Sequence, residues 1–254
     1  MIRKTMFLIT KSIGCLFLFL FIGYLSFSPV RDVQLNRFPS PTISNVGVSS
    51  VETSAQVTRV SVKASAFKVY LSPSCQTGNP YSDGSGSEEY HMRQIASAMP
   101  AYLAKYGIQS ILAAPLSATR QSQKATIAGR VKQAFDTKCD LYLAIHSNAH
   151  DNGVKRNGTI IFYPSNNVPS LRLTQILFNN FIYPDKSAID FGTNDALWQM
   201  HMPTMPHCLI ETAYHDNAED VQWIENNTEK IAQNLAYCIA LYANVPIDTA
   251  KGKV

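Results

Sequence analysis

Two short segments of the sequence, AIHSNA and CLIETAYHDN, carry the side chains best suited to catalysis. His146 follows the apolar run DLYLAI and precedes Ser147 and Asn148, and Glu211 ends the apolar run HCLIE. A carboxylate at the end of an apolar strand is costly to bury unless it is paired or functional, and burial raises its pKa toward the range that suits a general base near neutral pH. We therefore interpret His146 and Glu211 as the centre of a hydrolytic site.

A metal ion would account for this combination of side chains. Glu88 and His91 stand three residues apart at the start of a predicted helix, a spacing that can hold a metal. His and carboxylate ligands with one open position are typical of a catalytic zinc site, in which Zn²⁺ lowers the pKa of bound water. The residues thus predict a hydrolase in which zinc activates water and Glu211 takes up the proton.

Alternating strands and helices are expected to position these residues. Apolar runs predict strands over 67–72, 109–113, 140–145, 158–163 and 207–211. Helical spacing of apolar residues predicts helices over 88–106, 122–135, 170–181 and 228–242. This order is typical of α/β proteins, here a single three-layer domain with a mostly parallel central sheet of about six strands flanked by helices. Because active groups collect where parallel strands end, the loop after residue 72, His146 and Glu211 are expected at one edge of the sheet.

The N-terminal region predicts an exported protein. The chain starts with MIRK and has an uncharged, largely apolar run from Ser12 to Phe27, as export signals do. We expect a signal peptide or N-terminal membrane anchor over residues 1–28 and a flexible linker, rich in Ser, Thr and Val, over residues 29–65. Residues 66–247 would form the catalytic domain and residues 248–254 a tail.

Composition argues against other classes of protein. The net charge is +4, but Lys and Arg form no block of the kind that binds nucleic acid, so we expect no nucleic-acid partner. The five cysteines include no CxxC pair and show no zinc-finger spacing. Cys208 and Cys238 lie in apolar runs and are predicted to be buried.

The order and spacing of these segments resemble the zinc-dependent N-acetylmuramoyl-L-alanine amidases, which cleave the bond between the lactyl group of the glycan and the stem peptide in bacterial peptidoglycan. The resemblance spans about residues 67–245. AIHSNA resembles the metal-binding His motif of that family, EEYHMRQIA matches its metal-binding Glu at Glu88, and LIETAYHDN matches its catalytic Glu motif. Arg130, in GRVKQAF, falls where the family has an Arg on the helix before the His strand.

The resemblance implies roles for these residues. His146 and Glu88 would be zinc ligands, Glu211 the general base and Arg130 a further catalytic residue. It also implies peptidoglycan as substrate, Zn²⁺ as cofactor and a monomeric enzyme. The location would be extracellular or on the cell-wall side of the bacterial cytoplasmic membrane, with the membrane as a partner if the N-terminal segment is not cleaved.

One position departs from the family pattern. The first metal ligand of the family is normally a His in a segment of the type DPGHGG, and here LSPSCQTGN places Cys75 at that position. A Cys thiolate is a good zinc ligand, so Cys75 is the expected third ligand, with His91 and His215 as alternatives.

Two other functions are compatible with the same residues. A catalytically degenerate amidase domain would bind peptidoglycan or regulate another wall hydrolase, and the departure at Cys75 favours this alternative. A Cys/His peptidase acting on the cell wall would pair Cys75 or Cys139 with His146.

Overall fold

A six-stranded sheet forms the centre of the fold in the computed structural model, which describes residues 66–116, 121–150, 156–201 and 203–246. The predictions of an export signal, a linker and a C-terminal tail therefore fall on residues outside the described ranges. Within those ranges, no helix is both long and apolar enough to span a membrane.

Strands and helices alternate along the chain. The strands are β1 (Lys68–Pro73), β2 (Gln109–Leu112), β3 (Leu141–Asn148), β4 (Thr159–Tyr163), β5 (Ile189–Thr193) and β6 (His207–Tyr214). The helices are α1 (Glu88–Lys105), α2 (Gln123–Asp136), α3 (Val168–Asn180) and α4 (Ala218–Tyr242). Two short 3₁₀ turns, Lys186–Ala188 and Trp198–Met200, lie between α3 and β6.

The strand order in the sheet is β2-β1-β3-β6-β4-β5. Strands β2, β1, β3 and β6 are mutually parallel, whereas β4 pairs antiparallel with β6 and parallel with β5. The sheet therefore has six strands and is mostly parallel, which confirms the predicted fold class. The strand β5 has no counterpart among the five runs predicted from the sequence.

Side chains alternate between two apolar layers, one on each face of the sheet. In β3, Leu141, Leu143 and Ile145 belong to the larger core, whereas Tyr142 and Ala144 belong to the smaller one. The larger core is covered by α1, α3 and α4, and the smaller core by α2. This arrangement is the predicted three-layer domain, and it leaves α2 on the same side of the sheet as the even-numbered residues of β3.

Polar caps determine where the helices begin. Ser87 caps α1, Ser122 caps α2, and the Asn217 side chain accepts hydrogen bonds from the backbone N–H groups of Glu219 and Asp220 at the start of α4. Acidic side chains in the first turn of α4 are further stabilised by the helix dipole. For this reason α4 begins at Ala218, ten residues before the start predicted from apolar spacing alone.

Candidate active site

Two adjacent parallel strands bring His146 and Glu211 side by side. His146 in β3 is in register with Glu211 in β6, near the carboxyl ends of both strands. Side chains alternate between the two faces along a strand, so His146 lies on the same face as Tyr142 and Ala144, and Glu211 on the same face as Leu209. This is the face that α2 covers. The sequence prediction that these two residues share one edge of the sheet therefore agrees with the geometry.

Glu88 reaches the same place from the start of α1. It is the first residue of that helix, and its side chain is almost fully buried. Its Oε1 lies 2.8 Å from His146 Nδ1, and its Oε2 accepts a hydrogen bond of 2.9 Å from Asn79 Nδ2. The backbone N–H of Ser147 also points at Oε1, at 3.4 Å. Glu88 is thus held by the loop before α1 and by the end of β3.

Glu88, His146 and Glu211 form one group whose side chains could bind a metal ion. Each offers a nitrogen or oxygen atom, and these three atoms lie within 4.8 Å of one another. His146 Nε2 and Glu211 Oε2 are buried and have no hydrogen-bond partner among the described residues. Buried polar atoms without partners are costly, and a divalent cation on His146 with a water for Glu211 would satisfy both. One imidazole and two carboxylates are a donor set that fits such a cation.

Burial and the charges of neighbouring members shift the pKa of each side chain in the group. Burial raises the pKa of the Glu211 carboxyl to about 8, although the nearby His146 opposes the shift. Burial acts to raise the pKa of Glu88 as well, but the hydrogen bond and charge of His146 outweigh it, so the pKa of Glu88 lies below its ordinary value. Burial acts to lower the pKa of His146, and Glu88 reverses this, so the pKa of His146 is raised. Glu88 and His146 therefore each favour the charged form of the other, beside the Glu211 carboxyl, whose pKa is raised.

Arg130 and Cys75 lie next to this group rather than within it. Arg130 is buried in α2, and its Nη1 donates hydrogen bonds to Ser72 Oγ at 3.2 Å and to the carbonyl oxygen of Pro73. Cys75 follows in the loop after β1, and both residues line a cavity of about 750 Å³. Burial raises the pKa of the Cys75 thiol, and the charge of Arg130 opposes that shift only in part. The role of Cys75 as third ligand remains a prediction.

The profile of the N-acetylmuramoyl-L-alanine amidase family matches residues 75–241, more than half of the 254 residues. The chain belongs to this family. Cys75, Glu88, Arg130, His146 and Glu211 all lie within the matched range. The resemblance to the N-acetylmuramoyl-L-alanine amidases is thereby confirmed, and the family reaction is hydrolysis of the amide bond between N-acetylmuramic acid and L-alanine.

Solved amidase structures share the fold of this chain. The catalytic domain of CwlV from Paenibacillus polymyxa is 20% identical, with 71% of this chain and 99% of that domain covered and a TM-score of 0.59. AmiC2 of Nostoc punctiforme is 21% identical, with coverage of 70% and 97% and a TM-score of 0.59. CwlD from Clostridioides difficile, solved in complex with the GerS lipoprotein, is 19% identical, with coverage of 71% and 100% and a TM-score of 0.60. The comparison with curated proteins found no match.

His91 and His215, the two alternative metal ligands, both stack on the ring of Tyr81. The Tyr81 ring stacks on His91 at 4.0 Å and on His215 at 5.6 Å between centroids. The Tyr81 hydroxyl donates to Ser147 Oγ at 3.1 Å, and His91 Nε2 lies 3.1 Å from Ser85 Oγ. Neither His belongs to the three-residue group around Glu88. This stack attaches the loop before α1 to the ends of β3 and β6.

Sequence reasoning missed Asn79 and Tyr81 as supports of the site. Asn79 stands in the segment TGNP, where Gly, Asn and Pro predict a turn and give no sign of a contact with Glu88. Tyr81 is isolated in a polar loop, and only the fold shows that its ring is buried. Neither residue carries a signal that periodicity or spacing could have detected.

Proposed function

We propose that the chain carries out the amidase reaction with a bound zinc ion, held by Glu88 and His146, with Glu211 as general base. The observation that carries this proposal is that Glu88, His146 and Glu211 each place a nitrogen or oxygen atom within 4.8 Å of the others. In addition, His146 Nε2 and Glu211 Oε2 are buried without a hydrogen-bond partner among the described residues. Zinc, when bound, would lower the pKa of water and polarise the scissile carbonyl.

Glu211 is suited to move the proton of this reaction. Its Oε2 is buried without a partner, and its raised pKa gives it a high proton affinity. It would accept a proton from the attacking water and return it to the departing amine of L-alanine. Glu88 is already fixed by His146 and Asn79, so it is less free to exchange a proton.

Cys75 is our proposal for the third ligand. The backbone N–H of Ser74 donates to the carbonyl oxygen of Ile145 at 2.9 Å, so the loop after β1 starts beside the residue preceding His146. The negative charge of Glu88 is also close enough to raise the pKa of the Cys75 thiol. As a thiolate, Cys75 would complete a Cys/His/Glu set.

Peptidoglycan as the substrate supports a location outside the cytoplasmic membrane. Peptidoglycan lies on the cell-wall side of that membrane, so we propose that the enzyme acts there, exported by residues 1–28. Anchoring through these residues, the linker over 29–65 and a monomeric state remain predictions.

The experiment combines metal content with hydrolysis of purified peptidoglycan. Wild-type protein should carry stoichiometric zinc, lose activity with a chelator and regain it with Zn²⁺. Glu211→Gln should retain its fold and lose activity by about 10²- to 10⁴-fold, the usual contribution of a general base. Glu219→Gln is the matched control, because Glu219 is an exposed carboxylate in the first turn of α4.

Two outcomes would contradict the proposal. Hydrolysis that persists in the chelated protein and in Glu211→Gln would exclude the zinc mechanism. A metal-free protein that folds normally, binds the wall tightly and releases no peptide would instead indicate a binding domain.

A further inference from the structure

A cavity of about 750 Å³ lies on the α2 side of the sheet and is lined by Cys75, Asn79 and Arg130 among others. Its described walls are the loop after β1, residues 114–116, residues 121–122 and the first turns of α2. Asn79 lines the cavity and also donates to Glu88 Oε2 at 2.9 Å. A molecule in the cavity would therefore lie one side chain away from the group formed by Glu88, His146 and Glu211.

The cavity has one charged side chain among its described lining residues, Arg130. Arg130 is only 6% exposed, and its Nη2 has no hydrogen-bond partner among those residues. Of the other two guanidinium nitrogens, Nη1 donates to Ser72 Oγ and to the Pro73 carbonyl oxygen. A buried cation with an unsatisfied N–H group is costly unless an anion or acceptor satisfies it.

The N-terminus of α2 contributes a second positive potential to the same cavity. Ser122, Gln123 and Thr126 lie at the start of this 14-residue helix and line the cavity. The first turn contains no acidic residue that would neutralise the helix dipole. Backbone N–H groups at a helix start, together with the dipole, form a favourable site for an anion.

We propose that this cavity binds a carboxylate group of the stem peptide, with Arg130 and the start of α2 as its recognition elements. This inference rests on the proposed function. The lactyl carboxyl group of the glycan is consumed in the scissile amide bond, so the free carboxylates of the substrate lie on its peptide side. The unpartnered Nη2 of Arg130 can donate to a carboxylate, and charge-assisted hydrogen bonds of this kind are among the strongest in proteins.

This assignment gives the cavity a role in specificity. A peptide carboxylate held by Arg130 would orient the chain so that its first amide bond faces Glu211. Stem peptides with free carboxylates should therefore be preferred over peptides whose carboxylates are amidated. A site built around a buried polar group discriminates strongly against ligands that leave that group unpaired.

The test compares a muramoyl dipeptide of L-alanine and glutamate with its diamide. For the wild type, kcat/KM should be at least about tenfold higher for the free acid, and most of the difference should lie in KM. Gln123→Glu adds a negative charge in the cavity wall without touching the buried Arg130. It should reduce the preference for the acid by at least about threefold.

Ala125→Glu is the matched control. It introduces the same charge in the same turn of α2, at an exposed position that does not line the cavity. This variant should keep the wild-type preference. Equal kcat/KM values for acid and diamide in the wild type, or equal effects of the two Glu substitutions, would overturn the proposal.

Calorimetry with the dipeptide L-alanyl-glutamate and its diamide separates this inference from the proposed function. The wild type should bind the acid at least about tenfold more tightly, and Gln123→Glu should lose that difference. Absence of hydrolysis with both muramoyl substrates would contradict the proposed function. Equal affinity for the dipeptide acid and its diamide would contradict the cavity assignment, whatever the activity.

Discussion

At the scale of single residues, the site depends on side chains that hold the metal-binding groups in place. Glu88 is the best example, because both of its oxygens are already engaged by protein donors. Asn79 supplies one of these contacts, although the sequence around it does not indicate that role. Loss of a group that orients a metal ligand typically lowers metal affinity by about 10- to 100-fold.

Replacing Asn79 should therefore weaken zinc binding without abolishing the fold. In Asn79→Ala the hydrogen bonds from Nδ2 to Glu88 Oε2 and Gln76 Oε1 are lost, and the carboxylate of Glu88 gains freedom. We expect the dissociation constant for zinc to rise by about 10- to 100-fold, measured by competition with a chromophoric chelator.

Asn227→Ala provides the control for this substitution. Asn227 Nδ2 donates to the Trp223 carbonyl within α4, so its loss removes an amide side chain from a helix rather than from the site. Its zinc affinity should equal that of the wild type. Unchanged affinity in Asn79→Ala would show that Asn79 does not position Glu88 for the metal.

The residues of the site were predictable to different degrees. His146 and Glu211 could be paired from the sequence because each ends an apolar strand, and strand ends of a parallel sheet meet at one edge. The contact between Glu88 and His146 depends on the first turn of α1 meeting the end of β3, which spacing alone does not fix. The position of the Cys75 sulfur depends on a loop conformation that no periodic pattern describes.

At the scale of elements, the turn between β6 and α4 is fixed by one buried carboxylate. Asp220 accepts hydrogen bonds from the backbone N–H groups of Tyr214 at 2.8 Å and Gly158 at 3.1 Å, and from the Tyr183 hydroxyl at 2.6 Å. It therefore links the end of β6, the segment before β4 and the segment between α3 and β5. Because Glu211 lies in β6, this link also stabilises the strand that carries the proposed base.

Removing this carboxylate should destabilise the fold. In Asp220→Ala two backbone N–H groups and the Tyr183 hydroxyl lose their acceptor, and each unsatisfied buried donor costs about 1–3 kcal/mol. We expect the free energy of unfolding to fall by about 3 kcal/mol or more, measured by urea denaturation of the metal-free protein.

The neighbouring Glu219→Ala is a suitable comparison. Glu219 lies in the same turn of α4 but is exposed, so its loss should cost no more than about 1 kcal/mol. A similar loss of stability in the two variants would mean that the hydrogen bonds of Asp220 contribute little.

The elements themselves illustrate what a sequence can predict. The sequence predicts β3 and α1 within a few residues of their observed bounds. β3 is a continuous apolar run, and α1 has apolar residues at helical spacing. The strand β5 was missed because IDFGT is short and only its first residue is buried. The antiparallel direction of β4 could not be predicted, since strand direction depends on the path of the connecting segments rather than on the strand sequence.

At the scale of the whole molecule, the candidate metal group joins parts of the chain that are far apart in sequence. Glu88 begins α1, His146 lies in β3 and Glu211 in β6, so an ion held by Glu88 and His146 would link the helix to the sheet beside the proposed base. Anything that binds the folded state but not the unfolded chain stabilises the fold by mass action. Zinc binding should therefore be visible in the stability of the entire domain, independently of catalysis.

Saturation with zinc should raise the melting temperature. At a free zinc concentration of 100 times the dissociation constant, the stabilisation is about 2.7 kcal/mol, or a rise of roughly 5–10 °C for a domain of this size. His146→Asn removes a proposed ligand and should abolish most of this zinc-dependent rise, measured by differential scanning calorimetry with and without chelator. His201→Asn is the control, because His201 is exposed and outside the group, and it should keep the full rise. An equal rise in both variants would place the zinc elsewhere in the chain, since the binding free energy would then be independent of His146.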